Sequence, residues 1–148
     1  MQIASLSTGA QLFVWSTRQW LACAQTKQCV QSTLSMYYKH HNALAAVPLM
    51  DEMMTLLATT AHRHMEVRCF CSDTVGEDEA TLLFALRALQ HGDLTSAQRI
   101  LRPLLGGNLS RSFCRVGSEY TQSLKAAGLE LSGVAYLQAV TNLENTQA

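Results

Sequence analysis

Apolar residues recur at spacings of three and four along most of this chain, the period of amphipathic α-helices. The first such run is predicted from a Ser7 or Thr8 cap to about Gln31. Leu12, Phe13, Trp20, Leu21, Cys23, Ala24 and Val30 share one broad arc, with Arg18, Gln19, Gln25 and Thr26 opposite. Trp15 falls on the polar side of that helix. A second helix covers about Thr33 to Ala46 on a stripe of Leu34, Tyr37, Tyr38, His41, Leu44 and Ala45. Pro48 lacks an amide donor and crowds the preceding turn, so the chain breaks or kinks near Val47. A third helix runs from about Leu49 to His62 on Leu49, Met50, Met53, Leu57 and Ala61.

Beyond residue 74 the helical pattern resumes. Thr74 with Glu77 fits a capping box. Glu77, Asp78 and Glu79 place negative charge at the positive end of a fourth helix, which buries Leu82, Leu83, Leu86 and Leu89 and stops at Gly92. Thr95 with Gln98 repeats the box for a fifth helix over about Ser96 to Leu105, whose last turn Pro103 bends or ends. Gly106-Gly107-Asn108 reads as a loop, followed by a sixth helix from a Ser110 or Ser112 cap to Ala127, with Gly128 and Leu129 as its stop. Ser132 opens a last helix to about Glu144, and residues 1–6 and 145–148 are expected to be loosely ordered.

One stretch breaks the period. Met65, Val67, Cys69 and Cys71 alternate with Glu66, Arg68 and Phe70, which predicts a short strand or extended segment over 65–71. No second strand is legible, so its open backbone groups require a partner elsewhere, in a second copy, or none if it lies over helices as irregular chain. The expected fold is all-α: one compact domain over 1–148, with six to seven helices and this extended crossing.

Composition sharpens the picture. With 148 residues and 48% apolar content the chain can bury a full core. Charged residues make up 15%, against about 25% in an ordinary soluble domain. That shortage points to helix faces covered by a second copy, and hence to a homodimer, with cover by small polar residues (Gln, Ser, Thr) as the alternative. A formal net charge of zero argues against nucleic acid or an anionic membrane held by bulk electrostatics. No apolar run reaches the length of a membrane span. An odd count of five cysteines without framework spacing, and no basic lead before Arg18, fit a thiol-bearing cytoplasmic protein.

The chemistry worth testing lies in the crossing. His62, His64, Cys69 and Cys71 supply two imidazoles and two thiols, the donor set of a zinc site. The spacing H-x-H, four residues, C-x-C matches no finger pattern. In a flat strand Cys69 and Cys71 stand about 7 Å apart on one face, which suits inward packing as well as it suits a metal. Packing is the leading reading, with zinc or a redox-active thiol pair as alternatives. Cys23 and Cys29 lie about 240° apart on a helix and cannot bridge. His40 and His41, the methionines of the third helix, and the Arg111/Arg115 pair each read as ordinary core or surface residues. Trp15 and Phe70 are candidate interface positions. No nucleophile elbow, phosphate loop or dinucleotide fingerprint is present. The sequence therefore favours a helical interaction or regulatory module over a metal or redox sensor. It gives no positive support to an enzyme.

Overall fold

A computed structural model describes residues 1–60 and 64–131. Among them are six α-helices and no β-strand: α1 Thr8–Thr26, α2 Val30–His40, α3 Val47–Thr60, α4 Glu77–Gln90, α5 Leu94–Leu101 and α6 Gly107–Ala126. The helix expected from Ser132 to Glu144 and the 145–148 tail lie outside the described residues. Helix α4 packs on α5 and α6, α3 on α6, and α1 on α2, α3 and α4. One contiguous apolar core results, with Phe13, Leu34, Met50, Met53, Leu82, Leu86 and Phe113 fully buried in it. Met50, Met53 and Met54 are core side chains. Helices α4 and α6 approach closely at Gly117, where a Cβ would meet Leu89 Cδ1 at 2.9 Å.

Helix ends differ from the expected ones where the closing residue is not a glycine. The run expected to reach Gln31 ends at Thr26, because Lys27 adopts a left-handed conformation with φ 58°. Asn42 does the same after α2, also at φ 58°. In both cases an amide reaches back five residues, Gln28 to the Cys23 carbonyl at 3.0 Å and Ala43 to the Tyr38 carbonyl at 2.8 Å. Gly92 and Gly128 close α4 and α6 by the same bond, from Asp93 to Ala88 and from Leu129 to Leu124, each 2.8 Å. Pro48 sits in the first turn of α3, where its missing amide costs no helical bond. The N-cap of α5 is Asp93, which accepts from the Ser96 amide at 3.0 Å, in place of Thr95. Gly107 and Asn108, read as loop, form the first turn of α6.

The N-terminal residues are not a loose lead. Gln2 forms an antiparallel bridge with Thr74. The Ile3 amide donates to the Asp73 carbonyl and the Val75 amide to the Met1 carbonyl, both at 2.9 Å. Leu6 is buried behind them. The crossing's backbone partner is thus the start of the same chain, and it engages residues 73–75. Residues 64–69 carry no regular structure.

Two polar clusters run through the core. The Ser16 hydroxyl donates to the Leu12 carbonyl at 2.6 Å and meets the Tyr38 hydroxyl at 2.8 Å, which meets that of Tyr120 at 2.8 Å. The buried Gln90 amide donates to the Thr121 and Leu129 carbonyls and accepts from the Leu131 amide at 2.7 Å, tying the end of α6 to α4. Burial pushes the Tyr38 phenol up to about 12, and Tyr120 well above its ordinary value. Both stay neutral in the fold where an unfolded phenol ionises near pH 10. Their contribution is complete below about pH 10 and is lost as pH rises toward the folded value. Denaturant midpoints measured from neutral to alkaline pH should fall steeply above about pH 10, and Tyr38→Phe/Tyr120→Phe should flatten that slope.

Candidate functional site

The tip of the crossing folds into a turn at the end of the stretch expected to be a short strand or extended segment. The Ser72 amide donates to the Cys69 carbonyl at 3.1 Å, so Cys69-Phe70-Cys71-Ser72 doubles back on itself. This brings the Cys69 and Cys71 Cα atoms to 5.5 Å, and the two residues form a disulfide. Both cysteines are exposed, and Phe70 between them is 49% exposed. The expectation that these sulfurs face inward for packing is therefore overturned. The alternating pattern marks a segment whose Met65 and Val67 are half-buried while its tip stands in solvent.

The turn hangs from a buried arginine. Arg18, expected on the polar side of α1, is 5% exposed. Its Nε donates to Glu79 Oε2 at 2.8 Å and its Nη2 to Glu79 Oε1 at 3.1 Å, the bidentate geometry of a strong pair. Two more of its donors hold backbone: Nη1 reaches the Ser72 carbonyl and Nη2 the Thr74 carbonyl, both at 2.8 Å. Glu79 Oε1 also accepts from the Gly76 amide at 2.9 Å. That bond is half of a capping box, set two residues later than the expected one at Thr74, since the N-cap is Gly76 and has no side chain to return it. Asp78, beside Glu79, accepts from the Glu66 amide at 2.7 Å. Of the three acids read as dipole partners, two are buried and each holds the crossing; Glu77 is exposed. Arg68 closes the turn's base through the Thr74 hydroxyl. The base is tight: a Cβ on Gly76 would meet Glu79 Oε1 at 3.2 Å and Arg68 Nε at 3.3 Å.

The other sequence candidates fall elsewhere. His62 lies outside the described residues, and His64 is exposed. Among the described residues no group of three or more His, Cys, Asp or Glu side chains is placed to hold a metal ion. Trp15 is half-buried and packs against Tyr37 at a tilt of 45°, with ring centroids 4.0 Å apart. Cys23 and Cys114 are buried and free, and burial pushes the Cys114 thiol up. Cys29 is exposed at the N-cap of α2, where hydrogen bonds from the Ser32 side chain and backbone lower its pKa. No protein-family model, curated protein or solved structure matches the chain.

Arg18 escaped the sequence reading because α1 buries residues around most of its circumference, Ser16 and Thr17 included, so a one-face pattern misplaces it. Its neighbours Ser16, Thr17 and Gln19 are polar, so nothing local marked it as buried. Removing one partner of such a pair leaves an uncompensated buried charge, which costs about 3–5 kcal/mol. Glu79→Ala should lower unfolding stability by roughly that amount and speed hydrogen exchange at the Ser72, Val75 and Gly76 amides first. Arg18→Met with Glu79→Met should recover most of the stability while the turn stays loosened.

Proposed function

We propose that the protein is a thiol–disulfide module whose working element is the Cys69-Phe70-Cys71 turn, carried on a helical scaffold. The observation behind this reading is the exposed disulfide itself, closed across a single residue. A cross-link around three residues restricts the unfolded chain by only about 1.6 kcal/mol, against about 3 for a loop of fifteen. Its structural return is small and its position is open, which is where a reactive pair is expected. Arg18, Glu79 and Asp78 already hold the base of the turn without it.

The chemistry is an exchange with a dithiol. A partner thiolate attacks one sulfur of the pair, the S–S bond breaks, and the other cysteine leaves as a thiolate. The partner's second thiol then displaces the mixed disulfide, so the partner ends oxidised and Cys69 and Cys71 end as thiols, having taken up two electrons and two protons. Phe70 stands between the sulfurs as an apolar contact for a protein partner. Zinc binding at His62, His64, Cys69 and Cys71 would need the reduced form, since thiolates are the ligands. Equilibration of the protein in glutathione buffers, read by mass after thiol labelling, should give one reversible two-electron transition at this pair, absent in Cys69→Ser and in Cys71→Ser. Cysteines that remain dithiol in the most oxidising buffer would defeat the reading. A zinc signal from the reduced protein would redirect it to the metal.

A second reading, self-association, has its own observation. Met36 is 74% exposed and Tyr37 49% on α2, beside Trp15. With charge scarce, these place an apolar surface where a second copy of the chain could sit. Light scattering should report a dimer at micromolar concentration that Met36→Lys converts to monomer; a wild-type monomer at high concentration rejects it.

A further inference from the structure

We propose that the pocket between α5 and the start of α6 binds a phosphomonoester, a site independent of the disulfide turn. Gln98, Arg102, Leu105, Gly107, Ser110 and Arg111 line a surface pocket of about 180 Å³. That is well above the ~10–15 Å³ one water needs. Between Asp93 and Glu119 the chain holds Arg99, Arg102, Arg111 and Arg115 and no acid, although its net charge is zero. Arg115 is drawn to Glu52 at 3.5 Å. Arg102 and Arg111 make no ion pair among the described residues, and both face this pocket.

The helix end adds donors. The 20-residue α6 begins without a side-chain cap and without an acid in its first turn. Its first helical bond runs from the Ser110 amide to the Gly106 carbonyl at 2.8 Å, so the amides of Gly107, Asn108 and Leu109 precede any helical acceptor. Such an end attracts an anion. An independent sign of a missing ligand is Ser110. It is 5% exposed, it lines the pocket, and its hydroxyl makes no geometrically sound hydrogen bond. Cys114, one turn on, senses that hydroxyl, but sulfur is too weak a partner to satisfy it. A buried hydroxyl left open is unusual, and an oxyanion oxygen is the acceptor it lacks. Two guanidiniums, free helix amides and a hydroxyl form the donor set that suits phosphate oxygens.

The test is an amide-resolved NMR titration with inorganic phosphate against chloride at fixed ionic strength, so that screening is held constant. Saturable shifts at Gly107, Asn108 and Leu109 are expected, with a Kd of about 1 mM or tighter. Arg102→Gln and Arg111→Gln should each weaken binding at least about threefold. Ser110→Ala separates binding from structure. A hydroxyl whose only neighbouring partner is a weak thiol contributes little to the fold, so this variant should keep or gain stability while losing affinity. Lost stability with unchanged affinity would assign Ser110 to the fold and overturn the site. Co-sedimentation with phosphatidylcholine vesicles carrying phosphatidic acid, abolished by Arg111→Gln, would place the phosphate on a lipid. Saturation by free phosphate without vesicle binding would place it on a soluble compound. Linear, unsaturated shifts with no vesicle binding would overturn the proposal.

Discussion

The buried pairing of Arg18 with Glu79 is the constraint from which the middle of this structure follows. A guanidinium cannot be neutralised, so a buried one must have its donors met. Glu79 meets two, and the carbonyls of Ser72 and Thr74 meet two more. Those four bonds set where α4 begins, since Glu79 must also reach the Gly76 amide. They set the path of the crossing, whose carbonyls must turn toward α1. The segment they hold is also the one that pairs with the N-terminus, through residues 73–75. An ion pair of this kind adds little net stability over an apolar replacement. Its effect is to allow one arrangement of three chain segments and to penalise the others.

That division of labour shapes the disulfide turn. Its base is tied by charge-assisted bonds to the interior, while its tip, from Cys69 to Cys71, stands in water. The bonds of Arg18 and Glu79 do not involve Cys69, Phe70 or Cys71, so opening the S–S bond breaks none of them directly. A pair built into the core would drag packing with it on each cycle. For the proposed exchange, anchoring below and exposure above are the arrangement that would let thiol chemistry proceed without unfolding the scaffold.

Much of the helical architecture was legible because apolar spacing and glycine stops speak to local structure. Gly92 and Gly128 announced the ends of α4 and α6, since glycine adopts the left-handed closing conformation without strain. Lys27 and Asn42 make the same closure, but neither is a glycine, and so the first two helices were read past their ends, to Gln31 and Ala46. The crossing was recognised as non-helical and its cysteines as notable. Its turn was not foreseen, because the alternation that suggests a strand here reports only that Met65 and Val67 lean on the core. Arg18 was invisible for a deeper reason: what buries it is a carboxylate 61 residues away, and single-sequence periodicity holds no information about that partner.

Polar groups in the interior of this protein divide according to whether their bonds are met. Arg18, Gln90, Ser16, Tyr38 and Tyr120 are all buried and bonded, and each has an evident task in joining helices. Ser110 is buried too, yet its hydroxyl has only the Cys114 sulfur beside it, on a helix that starts with no cap and no acid. An acid at position 107 or 108 would cap the start of α6, and the sequence has none there. Keeping instead two arginines and bare amides around an open hydroxyl sacrifices local stability, and exceptions of that sort concentrate where a protein meets a ligand. The same logic sets the exposed cysteine pair apart from the buried Cys23 and Cys114.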